Sequence, residues 1–190
     1  MSNNTVIKLN NLVDGGIQIE LCALNESFVM KLHNKSCEPL AELGETLLQI
    51  NDYYLKADKQ ACFPKSFYIF WECRHYQYTL EFILHEDRLV DIKLSYCPDI
   101  FAGIRTENEL QLTVNAKLDI LLDEYHNELR NLLLEYGFVG YKDRWKRHDF
   151  PISMFLKLHT TTQTCTAPQS RIPHGLMHLK QMIHKGHQEA

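Results

Sequence analysis

Apolar and polar positions change period several times along this chain, and each change marks an element. In "GIQIELCAL" (16–24), Ile17, Ile19 and Leu21 alternate with Gln18, Glu20 and Cys22, the period-two pattern of a half-buried strand. "SFVMKLH" (27–33) is a second strand-like run, and the short Asn25-Glu26 join predicts a hairpin. The period then lengthens. Across 38–57, Leu40, Leu43, Leu47, Ile50 and Tyr54 recur at three and four residues, one stripe of a helix, with Pro39 suited to its first turn. Residues 66–96 return to strands. "SFYIFWECR", "YTLEFILH" and "RLVDIKLSY" read as a three-strand meander with a tight turn at His85-Glu86-Asp87, the first strand apolar on both faces until Glu72 and therefore expected to be central.

Residues 97–109 are a loop by composition. A long helix follows over about 115–136, with Leu118, Leu121, Leu122, Tyr125, Leu129, Leu132, Leu133 and Tyr136 on its apolar face and Gly137 as a stop. A basic aromatic loop, 137–149, leads to an expected last strand, "FPISMFLKLH" (150–159), and "TTTQTCTAPQS" (160–170) reads as an exposed linker. Residues 171–190 form a tail in which Ile172, Leu176, Leu179 and Ile183 share one helical stripe. The clustering of strands in runs predicts an α+β fold. The expectation is a mostly antiparallel sheet of about six strands, two main helices on one face, and a short C-terminal helix on a linker. The organisation read from this is one domain over 1–159, a linker over 160–170, and the tail helix.

Charge sharpens the picture because it is unevenly placed. Net charge is −4 overall. Residues 1–136 hold 12 Lys+Arg against 21 Asp+Glu, net −9; residues 137–190 hold 8 against 3, net +5. An acidic body with a basic C-terminal third suits ligands of either sign, or neutralisation of one part by the other. The six cysteines include no CxxC pair, so zinc-ribbon spacing is absent and free thiols are expected. "MSNNTVIKLNNLVDGG" has no apolar signal-peptide core, which predicts a cytoplasmic protein while leaving a non-Sec secretion route open. No apolar run reaches the roughly 20 residues of a spanning helix, so no membrane association is expected.

Four groups of residues are candidates for chemistry. The first is the acidic side of the two helices: Glu38, Glu42, Glu45 and Asp52 on one, Asp119, Asp123, Glu124 and Glu128 on the other. Carboxylates there would steer a basic partner, with Tyr53, Tyr54 and Tyr125 as aromatic anchors; the plainer reading is solubility. The second is Lys142, Arg144, Trp145, Lys146 and Arg147, where basic residues around an aromatic ring suit single-stranded nucleic acid. Against that stands a solvated loop in which Trp145 covers core. The third is Cys73 with His75 or His148, a possible thiol–imidazole pair, although residues two apart in a strand lie nearly ~7 Å apart. The fourth is the histidine-rich tail. On a helix, His174 and His178 share a face while His184 and His187 point elsewhere, so a native metal site is not favoured and no cofactor is expected.

The leading expectation is a non-enzymatic protein-binding module, in its most concrete form a bacterial immunity- or antitoxin-like protein that neutralises a basic partner such as a nuclease toxin. Two alternatives stand beside it: an enzyme or secreted effector with a Cys–His or His–carboxylate site, and a nucleic-acid binder using 141–149. The tail helix adds a route to a dimer by docking in trans.

Overall fold

The computed structural model describes residues 6–33, 37–57, 62–100 and 109–166. It is an α+β fold of two antiparallel sheets and three helices. The elements run β1 (Ile7–Val13), β2 (Gly16–Cys22), β3 (Ser27–His33), α1 (Pro39–Lys56), β4 (Lys65–Cys73), β5 (Tyr76–Leu84), β6 (Leu89–Cys97), β7 (Glu109–Lys117), α2 (Leu118–Trp145) and α3 (Ile152–Thr166). One sheet has the order β1-β2-β3 and the other β4-β5-β6-β7, giving seven strands where about six in one sheet were expected. Buried apolar residues from Val6 to Leu158 form one contiguous core.

β2, β3, α1 and the meander lie where their periodicity places them. Two strands escaped the pattern. β1 pairs with β2 through a two-residue Asp14-Gly15 turn in which both residues have positive φ (51° and 75°), the type I′ geometry that matches strand twist. Its alternation is interrupted because the β1–β2 register shifts between Asn10 and Val13, with Asn11 at φ 53°. A bulge moves later side chains out of the period-two phase. β7 does alternate, burying Leu112, Val114 and Ala116, but its last residues were assigned to the following helix, which starts at Leu118 instead.

The C-terminal half needs three corrections. Gly137 does interrupt α2 (φ 63°, ψ −177°), yet the helix resumes and runs to Trp145, so most of the basic aromatic segment is helical. Residues 150–159 are not a strand: Ile152–Thr166 is helical and buries Met154, Phe155, Leu158 and Thr162. The spacing of four from Phe150 through Met154 and Leu158 to Thr162 is the helical signal that the threonine run obscured. Helix α3 also takes over 160–166 of the expected linker. The tail, with the expected docking helix and His174 and His178, lies outside the described residues.

Helix α1 packs on β4, α2 lies along β1 and the end of β7, and α3 rests on both helices. A Cβ at Gly44 would overlap the Met154 sulfur, so the missing side chain lets α3 approach α1 closely. Carboxylates then tie the layers together. The Val6 and Leu9 backbone N–H groups donate to Glu124 Oε2 (2.7 Å) and Glu128 Oε2 (2.8 Å). These acids sit one turn apart on α2 and reach edge-strand donors that no further strand pairs. The Trp71 indole donates to Glu42 (2.8 Å) and the Trp145 indole to Glu38 (3.3 Å). The fully buried Tyr125 hydroxyl donates to the Leu40 carbonyl at 2.6 Å, joining α2 to α1.

Leu47 and Leu129 are fully enclosed. Leu47→Ala and Leu129→Ala are each expected to lower unfolding free energy by about 2–5 kcal/mol in denaturant titration; a loss under ~0.5 kcal/mol would refute enclosure. Glu124→Ala leaves the Val6 donor without its acceptor and is expected to cost about 1–3 kcal/mol, with hydrogen exchange accelerating at β1 amides before those of β5.

Candidate interaction surface

The acidic residues expected to meet a partner divide once folded. Glu38 and Glu42 point inward to the two tryptophans, and Glu38 also stands 2.9 Å from His148. Burial pushes the Glu38 carboxyl up, offset by the Trp145 indole and His148. Glu124, likewise raised by burial, holds the β1 edge. Asp119 pairs with Arg88, whose guanidinium also bonds Asn51 and covers the Tyr54 ring at 4.6 Å. Glu45, Asp52 and Asp123 remain exposed, Asp52 beside Lys56 at 3.2 Å. Tyr53 is half-buried edge-on between Phe63 and Phe67, and Tyr125 is core, so neither presents an open ring.

The basic group follows the plainer of its two readings in that Trp145 covers core, while most of its segment is helix rather than loop. Trp145 is only 1% exposed and offers no face on which a base can stack. Lys142 pairs with Asp149 (2.9 Å) and Lys146 with Asp14 (2.7 Å), while the Arg144 guanidinium lies over the Tyr136 ring (4.4 Å); Arg147 is exposed. The thiol candidate is buried too. Cys73 contacts the Tyr76 hydroxyl and the His33 backbone, and burial pushes its pKa up, the reverse of an activated nucleophile. His75 sits exposed in the two-residue β4–β5 turn, and His148 is engaged with Glu38 rather than with Cys73.

Two features were not singled out from the sequence. The first joins α2 to α3. Gln163 Nε2 lies 3.0 Å from His159 Nε2, and His159 Nδ1 lies 3.2 Å from His126 Nε2. With the amide donating, the His159 proton sits on Nδ1 and is donated to His126, whose ring stacks on Phe155. Burial, then His159, depress His126 to about 4. Asp123 and Arg130, the other charges facing it, oppose each other. Sequence periodicity hid this pair because residues 150–159 were read as a strand. Among the described residues, no group of three or more His, Cys, Asp or Glu side chains is placed to hold a metal.

The second is the outer face of the four-stranded sheet. Strand pairing aligns Tyr68 with Glu81, Lys93 and Thr113, and aligns Phe70 with Thr79 and Ser95. Glu81 accepts from the Tyr68 hydroxyl (2.7 Å) and from Ser66 (3.0 Å), which hold it below the usual carboxylate range. Asp91 is bonded by Asn115 (2.6 Å) and lies 2.9 Å from His85. On this polar lattice, Tyr68 and Phe70 stack with rings 6.1 Å apart and 11° from parallel, yet stay 52% and 57% exposed. Leu110, 60% exposed, lies on β7 across the sheet. The run "SFYIFWECR", apolar on both faces, pointed to a central strand; β4 is instead an edge strand with one face on the core, and Tyr68 and Phe70 stand on the other.

Comparison with protein-family models, curated proteins and solved structures gave no match. Among the described residues no helix is long and apolar enough to cross a membrane.

The His126–His159 contact has a pH signature. The folded state disfavours the His126 cation, so stability from this site is present above the ordinary value of 6.5 and falls away as pH drops towards about 4. Thermal midpoints measured from pH 7.5 to 4 should fall more steeply for wild type than for His126→Gln, which retains an acceptor for His159. Identical slopes would show that the folded state does not disfavour the His126 cation.

Proposed function

We propose that this protein is a non-enzymatic protein-binding module, of the kind an immunity or antitoxin protein provides, that engages a basic partner through the outer face of its four-stranded sheet. The observation that carries the reading is the stacked, half-exposed Tyr68–Phe70 pair beside a fixed Glu81–Lys93 row. Aromatic rings supply most of the energy in compact interfaces, and rings already stacked and anchored by the Tyr68–Glu81 bond lose little freedom on binding. The long-range field supports the partner's sign. Residues 1–136 carry net −9, and the inward-facing glutamates contribute to that field although their carboxylates are already engaged by donors of the chain itself. Exposed Glu45, Asp52 and Asp123 then assist encounter, while the aromatic pair provides the contact.

Affinity purification from the producing cells, with wild type and Tyr68→Ser/Phe70→Ser in parallel, tests the reading. A basic protein should accompany wild type, associate more slowly as salt rises, and bind the double variant at least ~10-fold more weakly. Reversing Glu45, Asp52 and Asp123 to Lys should slow association and leave dissociation nearly unchanged. Undiminished binding by a folded Tyr68→Ser/Phe70→Ser chain would remove this face from the interface. A partner bound with no salt dependence would remove the electrostatic part of the proposal.

A further inference from the structure

The four sheet edges are treated unequally. β1 is capped by Glu124 and Glu128. The edge strand β3 gives its Lys31 carbonyl to the Tyr76 hydroxyl. β7 is bulged against β6 at Leu94/Ser95. β4 has none of these devices. It is nine residues long and paired without a register shift, and among the described elements only β5 pairs with it. Regular, aromatic-rich edges are the ones proteins ordinarily protect, because they template further strands.

The direction of the open groups follows from the turn. Cys73 and Tyr76 flank a two-residue loop and therefore form a hydrogen-bonded pair, as do Trp71, Ile69, Phe67 and Lys65 with their β5 partners. The backbone groups of Ser66, Tyr68, Phe70 and Glu72 must then point to the open edge, and their side chains belong to the outer face. We infer that this edge pairs with β4 of a second copy of the chain, antiparallel about a two-fold axis at Ile69, to form a continuous eight-stranded sheet. This register overlaps all of β4. It places Tyr68 opposite Phe70 of the partner copy and Ser66 opposite its Glu72, and closes about eight backbone hydrogen bonds. Two stacked pairs become one four-ring cluster, an isologous contact that closes on itself. The outer face stays open, so the dimer neither requires nor excludes the partner proposed above.

The test uses the purified full chain alone. Sedimentation over a wide concentration range should show a reversible monomer–dimer equilibrium. Phe70→Pro removes an N–H that β5 does not use, so the fold should be retained while self-association weakens at least ~10-fold. If that variant fails to fold, Tyr68→Lys/Phe70→Lys places like charges across the seam at exposed positions and should give the same loss. In a Cys62→Ser background, Tyr68→Cys and Phe70→Cys chains should cross-link when mixed faster than either does alone. A monomer at every concentration would overturn the inference, as would a dimer undiminished in the folded variants. Because no partner enters these measurements, their failure leaves the binding reading standing, and loss of a partner in the earlier experiment leaves the dimer standing.

Discussion

Carboxylates turned inward hold this molecule together. Glu38 and Glu42, at the start of α1, each accept an indole N–H, one from Trp145 at the end of α2 and one from Trp71 in β4. Glu124 and Glu128, on α2, accept backbone N–H groups of β1. These bonds span about thirty to nearly one hundred and twenty residues of sequence, linking both sheets to the helices. A charged acceptor beside an otherwise unpaired buried donor makes a stronger bond than a neutral one, and its loss exposes the desolvation cost of both groups. Burial raises Glu38 and Glu124 but does not leave them without donors.

That internal use of acid reshapes the functional surface. An acidic helix face suggests an electrostatic partner site when read as a wheel. Here much of it is architecture, and what remains outside is a looser scatter of Glu45, Asp52 and Asp123. The contact surface we propose lies instead on the sheet, where Tyr68 and Phe70 stand on a lattice of paired polar side chains. The division is physically sensible. Charge acts over a Debye length and need not touch the partner, whereas aromatic contact requires an open, rigid ring. The basic segment shows the same logic in reverse: Trp145 went to the core, and Lys142 and Lys146 found carboxylates within their own chain.

How much of this was legible differs from element to element. β2, β3, α1 and the meander were legible because one face of each is buried and the other wet, which stamps period two or period 3.6 on the residues themselves. The stop at Gly137 was legible for a similarly local reason, since only a residue without a Cβ takes φ 63° easily. β1 was lost because its bulge at Asn11 breaks the alternation, although Asp14-Gly15 was a usable hairpin signal. α3 was lost because Thr160, Thr161 and Thr162 favour extended structure locally, and tertiary burial of Met154, Phe155 and Leu158 overrode them.

The sequence by itself determined the class of fold, the acidic body, most of the core stripes and the apolar character of both faces of β4. All of these follow from local period and composition. Only the tertiary structure decided which glutamates face inward, that His126 meets His159, that Trp145 is core, and that β4 is an open edge. Each depends on which element packs beside another, and that choice is made by long-range donors, acceptors and shape rather than by neighbours along the chain.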